Sequence, residues 1–246
     1  MRKITQSAQR LHPQLTIVKV VAAIPCFNTE KYITDVVSRT SKYVDEVIVV
    51  DDGSSDKTTQ LAEASGAFVV IHSVNKGYGE TIKSCFASAK LNLADVLVTI
   101  DGDGQHCPDE VPRLLSPVIE EGVDLVIGSR SLDNWHEVPH YRKFGINIIN
   151  YLWNFGSKVK VSDTQSGFRA YSKKAIESLN LTETGMSVSI EILEEIRKKK
   201  LVIKEVPVTI YYQNNNSRIG TKAIRHGILV GLSVLRIRIK NIFTQY

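Results

Sequence analysis

Long apolar runs are missing from this chain. No stretch of about 18 consecutive apolar residues occurs, the length a membrane-crossing helix needs, so none is expected. Cysteine is scarce as well. Cys26, Cys85 and Cys107 are odd in number and far apart, which excludes a zinc framework or a disulfide scaffold and points to a reducing compartment. Cys107 reads as a small buried filler. The first residues lack a signal-peptide pattern, and 1–15 are expected to be a flexible N-terminal arm. A glycine-rich phosphate loop after the first apolar run is also missing. Pro25-Cys26-Phe27-Asn28 stands there, which argues against a nucleotidyltransferase. The aromatic platform of single-strand binders is absent, so no nucleic-acid partner is expected.

Acidic residues are absent from the last 41 positions. After Glu205 come Arg218, Lys222, Arg225, Arg236, Arg238 and Lys240, whereas residues 1–205 sum to −1 of the overall +5. The basic character therefore belongs to the C-terminal segment and suits an anionic surface or ligand. Residues 222–246 read as a basic amphipathic helix, with Ile224, Ile228, Leu232, Leu235, Ile239 and Ile242 on one stripe. Such a helix can lie in a membrane interface, dock on the domain's own core, or meet a second subunit or a membrane-protein partner.

What is present is a repeating strand–helix pattern. Ile17–Ile24 reads as a strand stopped by Pro25, Lys31–Tyr43 as a helix, Glu46–Val50 as a second strand and Ala67–Ile71 as a third. A helix capped by Ser55 or Asp56 runs to Ala64, and another follows the loop Asn75–Gly79. Val96–Ile100 is a fourth strand. Further on come a helix opened by Pro108 with Asp109 and Glu110 matching its dipole, a strand over Val123–Ile127, and helices over Tyr141–Ser157 and Met186–Lys199. Leu201–Tyr212 is a late strand reaching toward a second small sheet. The expected class is α/β, a mostly parallel Rossmann-like sheet flanked by helices, as one domain over 16–221.

Two strands end in acids: Asp51-Asp52-Gly53-Ser54 and Asp101-Gly102-Asp103-Gly104-Gln105-His106. Ligands of open α/β sheets lie off the carboxyl ends of the strands, so these acids can share one cleft. Two carboxylates and an amide oxygen, from Asp101, Asp103 and Gln105, suit Mg²⁺ or Mn²⁺, whose remaining ligands come from water and substrate phosphates. His106 can touch phosphate or hold the loop.

These stretches, with Ile24–Asn28, Gly128-Ser129-Arg130 and Asp163-Thr164-Gln165-Ser166-Gly167-Phe168-Arg169, resemble the GT-A glycosyltransferases of family 2, and within them the dolichol-phosphate mannose synthase and polyprenyl-phosphate sugar transferase branch. The resemblance implies a hexose moved from a nucleotide sugar, GDP-mannose or a UDP-sugar, to a dolichyl or polyprenyl phosphate, at the cytoplasmic face of a membrane. It implies that Pro25, Phe27, Val50 and Asp52 line the nucleotide pocket, with Asp52 on the base. It implies that Asp101, Gly102, Asp103 and Gln105 meet the metal and diphosphate, that Arg130 and Arg142 bind the acceptor phosphate, and that Arg218 closes over the donor. Phe27 departs from the tyrosine, and Thr29 from the glutamate, often found in relatives. Arg169 reads as an acceptor ligand or, preferably, an internal partner of Asp163. A hydroxyl acceptor would need a base, for which Asp163 is the candidate. A non-catalytic nucleotide-sugar-binding scaffold is the remaining alternative.

Overall fold

The computed structural model describes residues 18–132, 140–155, 157 and 159–211. The N-terminal arm, Arg218 and the 222–246 helix expected from the sequence lie outside them.

Seven strands form one sheet. They are β1 (Val20–Cys26), β2 (Glu46–Asp51), β3 (Phe68–Ile71), β4 (Val96–Thr99), β5 (Leu125–Ser129), β6 (Arg169–Ser172) and β7 (Ile203–Pro207), in the order β3-β2-β1-β4-β6-β5-β7. All pairings are parallel except those of β6, which runs antiparallel between β4 and β5. The late strand β7 therefore joins the main sheet beside β5 rather than starting a second one.

Side chains alternate across the sheet and feed two apolar layers. Val21, Ala23, Ile48, Val50 and Leu97 pack with α3 (Tyr78–Leu91), α6 (Lys173–Ser178) and α7 (Val188–Lys198). Ala22, Ile24, Val49, Val98 and Ile100 pack with α1 (Ile33–Thr40), α2 (Thr58–Ala64) and α4 (Val111–Glu121). The remaining helix, α5 (His140–Asn154), buries Ile149 and Trp153 in the first of these layers.

Several local expectations are corrected. Pro25 does not stop β1. It sits inside the strand, in register with Val50. Its carbonyl accepts from Gly102 N (3.3 Å), so its missing N–H faces the β4 side, where β4 has already ended at Thr99 and the ladder loses no bond. Helix α2 begins at Thr58 with no side-chain bond from its capping position; Asp56 instead accepts from Thr58 N (3.0 Å) and its hydroxyl. Pro108–Glu110 is a turn of 3₁₀ helix that leads into α4. Its acids tie distant segments: Asp109 pairs with Arg39 (2.8 Å), and Glu110 accepts from Thr209 N (2.8 Å). Cys107 is half-buried, with its sulfur 3.2 Å from an Arg39 nitrogen.

The topology decides where chemistry can gather. The parallel strands β1, β2, β4 and β5 end at Cys26, Asp51, Thr99 and Ser129 on one edge. Because β6 is antiparallel, the loop that enters it, residues 163–168, arrives at that same edge.

Candidate active site

Asp101 and Asp103 follow the end of β4. Asp101 accepts from the Tyr78 hydroxyl (3.3 Å), and His106 Nε2 lies 4.0 Å from its other oxygen. Its side chain is 29% exposed. Desolvation by the surrounding protein, then the facing charge of Asp103, push this carboxyl up to about 7. The loop around it is tightly drawn. A Cβ on Gly167 would stand 2.4 Å from Asp101 Oδ2, and one on Gly102 would stand 2.4 Å from the Cys26 sulfur. Only glycine leaves room at both positions.

Both oxygens of Asp103 are engaged by its own turn, one by Gln105 N (3.0 Å) and one by the Gln105 side-chain amide nitrogen (2.7 Å). Gln105 thus orients Asp103 and retains its amide oxygen. The Gln105 backbone carbonyl accepts from Tyr211 N (2.8 Å), and His106 bridges to Ile210, so the turn is pinned beside the chain that leaves β7. His106 is buried, its Nδ1 has no hydrogen-bond partner, and burial followed by the charge of Arg130 holds its pKa down to about 3. It is a neutral imidazole packed on Phe168.

Arg130 follows β5. Its Nε and a terminal nitrogen each lie 2.6 Å from the two oxygens of Asp163, and its backbone N donates to the same carboxylate (3.0 Å). Burial alone would raise Asp163, but the Arg130 charge and these bonds outweigh it and hold the carboxyl below its ordinary range. The expected partner of Asp163 was Arg169, and this is corrected. Arg169 is 2% exposed and donates to the carbonyls of Thr164 (2.8 Å) and Ser189 (3.2 Å). Glu205 on β7 holds the loop from behind, accepting from Ser162 N (2.8 Å) and Asp163 N (3.0 Å). Neither this glutamate nor Tyr78 stood out in the sequence, although Glu205 is the last acid of the chain and Tyr78 sits inside the glycine-bearing loop.

At the end of β2, Val50 is buried in the sheet and Asp52 is 3% exposed. Asp52 accepts from His72 Nδ1 (2.7 Å), Lys76 N (2.9 Å) and Gly77 N (2.8 Å). His72, another residue the sequence did not flag, also meets the Ser84 hydroxyl through Nε2 (2.9 Å). Pro25 is buried, while the neighbouring Phe27 ring is 49% exposed. Arg142 belongs to the first turn of α5, but its side chain lies outside the described residues, as does Arg218.

The same sheet edge thus carries an acidic pair after β4, a buried carboxylate after β2, with β1 between them, and after β5 a guanidinium fixed by Asp163. The family model of glycosyl transferase family 2 matches residues 21–179, the stretch that carries all of these elements. The chain belongs to glycosyl transferase family 2. It is similar to the UDP-N-acetylglucosamine–dolichyl-phosphate N-acetylglucosaminyltransferase of Methanococcus voltae, 31% identical over 223 residues, covering 82% of this chain and 89% of that protein. It is 32% identical to the dolichol-phosphate mannosyltransferase of Pyrococcus furiosus, over 78% of this chain and 56% of that one. Among solved structures, the glucosyl-3-phosphoglycerate synthase of Mycobacterium tuberculosis superposes with a TM-score of 0.69 at 27% identity, covering 88% of this chain and 80% of that one. Structures of that enzyme contain UDP with Mn²⁺ or Mg²⁺. This family 2 member is a glycosyltransferase with the GT-A fold, as the sequence motifs led one to expect.

The residues present fit a hard divalent cation. Asp101 and Asp103 repel one another, and the cationic group opposite, Arg130, is bound to Asp163. Among the described residues no group of three His, Cys, Asp or Glu side chains could hold a metal. A cation there would take Asp101, Asp103 and the Gln105 amide oxygen, with its other positions left to water or phosphate oxygens.

Proposed function

We propose that this glycosyltransferase moves a hexose from a nucleotide sugar to a polyprenyl or dolichyl phosphate with inversion, using Mg²⁺ or Mn²⁺. The observation that carries the reading is the commitment of Asp163. A hydroxyl acceptor must lose a proton to a base, and both oxygens of the candidate base are taken by Arg130 at 2.6 Å. The depressed pKa of Asp163 makes it a poorer base still. A phosphate monoester needs no base, because its oxygen is already anionic at neutral pH.

Asp101, Asp103 and Gln105 would hold the cation, which when bound stabilises negative charge on the leaving diphosphate. Pro25, Phe27, Val50 and Asp52 would line the nucleotide pocket, with Gly102 allowing close approach beneath the diphosphate. Arg130, held in place by Asp163, and Arg142 would bind and orient the acceptor phosphate, with Arg142 supplying the neutralising charge, and Arg218 would close over the donor. The acceptor oxygen attacks the anomeric carbon as the bond to the nucleoside diphosphate breaks. The electron pair leaves with the diphosphate and no proton moves. Arg130 suits this orienting role because its two bonds to Asp163 fix its plane in advance, while Glu205 holds the Asp163 backbone. The basic segment after Glu205 would bring the enzyme to the anionic cytoplasmic face of a membrane, alone, as a homo-oligomer or with a membrane-protein partner.

The test offers purified full-length protein Mn²⁺, a panel of nucleotide sugars, and either short polyprenyl phosphate, the matching polyprenol or 3-phosphoglycerate, with product mass as the readout. A hexosyl phosphoryl polyprenol is expected, with no product from the polyprenol. Transfer to either hydroxyl acceptor at comparable rates would overturn the reading.

A further inference from the structure

We infer that Glu205 is a positioning residue for the transfer, setting Arg130 by bracing both partners of its ion pair from the edge strand β7. The inference rests on the acceptor role proposed for Arg130. Glu205 stands opposite Ile127 in the parallel β5–β7 pairing, two residues before β5 ends at Ser129. Its carboxylate takes two consecutive backbone donors, Ser162 N on Oε2 (2.8 Å) and Asp163 N on Oε1 (3.0 Å), and the Ser162 hydroxyl on Oε1 (2.9 Å). The Asp163 side chain in turn meets two Arg130 nitrogens at 2.6 Å. A second path approaches Arg130 from its own strand. Ser162 Oγ lies 2.8 Å from Oγ of Ser129, the residue before Arg130. A hydroxyl has one hydrogen, and that of Ser162 goes to Glu205, so the Ser129 hydroxyl donates to Ser162. Both the carboxylate that grips Arg130 and the backbone that carries it are thus referred to one side chain.

The donors explain why the residue is a glutamate. Three of them converge on its two oxygens, so the position calls for a group that only accepts. A glutamine would turn an NH₂ toward one of the two backbone N–H groups and lose that bond. Charge by itself argues the other way, since the proposed acceptor is an anion and a further carboxylate behind Asp163 repels it. The negative group is therefore retained for the geometry that it imposes. The strand has other anchors. β7 pairs with β5 over Leu125–Ser129, Arg113 donates to the Pro207 carbonyl (2.8 Å), and Thr209 N donates to Glu110 (2.8 Å). What Glu205 adds is the register of residues 162–163 against Arg130.

Steady-state kinetics of full-length Glu205→Gln test this, with Mn²⁺, short polyprenyl phosphate and a nucleotide sugar that supports transfer in the panel above. Turnover is expected to fall about 10- to 100-fold, the scale of a misplaced orienting group, while KM for the nucleotide sugar stays within about 2-fold. Ser162→Ala, which removes only the hydroxyl path, is expected to lower kcat in the same way but less, and it decides the matter if Glu205→Gln fails to fold. An unchanged kcat with a lower KM for polyprenyl phosphate would show that Glu205 acts as a negative charge alone. Equal losses toward both substrates with a large fall in Tm would show that it supports the fold in general. Either result would overturn the inference. Arg130→Ala separates it from the reading beneath it. Lost turnover there, beside wild-type kcat in Glu205→Gln, would overturn this inference alone, whereas wild-type turnover in Arg130→Ala would overturn the acceptor role of Arg130 as well.

Discussion

At the residue scale, Asp101 is the most perturbed group that the proposed chemistry uses. Its carboxyl is pushed up to about 7 from an ordinary 3.8 by desolvation and by Asp103. Between those two values the native metal-free protein holds a proton that the unfolded chain has lost. The contribution of Asp101 is therefore favourable at the acid end and fades as pH rises through 7. Thermal unfolding of the wild type and of Asp101→Asn, both without metal, should show Tm falling from pH 5 to pH 8 more steeply in the wild type. Parallel curves would contradict the assignment. Added Mn²⁺ should raise the wild-type Tm most at the alkaline end, where the carboxylate is free to bind it. Turnover is expected to fall by about 100-fold or more in Asp101→Ala and Asp103→Ala, since each removes an anchor for charge stabilisation on the leaving group. Wild-type rates in the double variant would remove the metal from the mechanism altogether.

At the scale of elements, the loop entering β6 decides the geometry. Residues 162–168 are held by Glu205 behind, by Arg130 in front and by Asn150 of α5, whose side-chain oxygen accepts from Thr164 N (3.1 Å). Asp163 is fully buried and Arg130 is 13% exposed in its side chain. Asp163→Asn leaves a guanidinium facing a neutral amide and is expected to cost about 3 kcal/mol in denaturant unfolding. Gly167→Ala should act differently. Its Cβ would meet Asp101 Oδ2 at 2.4 Å and displace that carboxylate, while the fold itself has little at stake. The expected outcome is a raised apparent constant for Mn²⁺ with a small change in Tm. A large loss of Tm with unaltered metal dependence would show that the glycine serves packing instead. The motif around Gly167 was visible in the sequence. The reason for its glycine was not, because that reason is a side chain 66 positions earlier.

At the scale of the whole molecule, charge is divided between a near-neutral body and a basic end. Residues 1–205 sum to −1, and the six basic residues beyond face no acid in the sequence around them. Full-length protein is expected to co-sediment with vesicles containing anionic lipid at low salt and to be released at high salt, because screening shortens the reach of such charges. Salt-independent binding would point to an apolar attachment instead. Among the described residues no helix is long and apolar enough to cross a membrane.

Period-two and period-3.6 patterns are local, and through them the sequence alone determined the α/β class, the order of most elements and the acids at the ends of β2 and β4. The family resemblance rested on the same short motifs. Only the tertiary structure decided which distant groups meet. It placed Arg130 rather than Arg169 on Asp163, set His72 on Asp52, inserted β6 antiparallel so that its loop reaches the edge that carries Asp52 and Asp101, and ran β1 straight through Pro25. Each of these depends on a neighbour supplied by another strand or helix. Burial then converts those encounters into strong preferences, since a charge or donor withdrawn from water must find its partner wherever the chain has brought one.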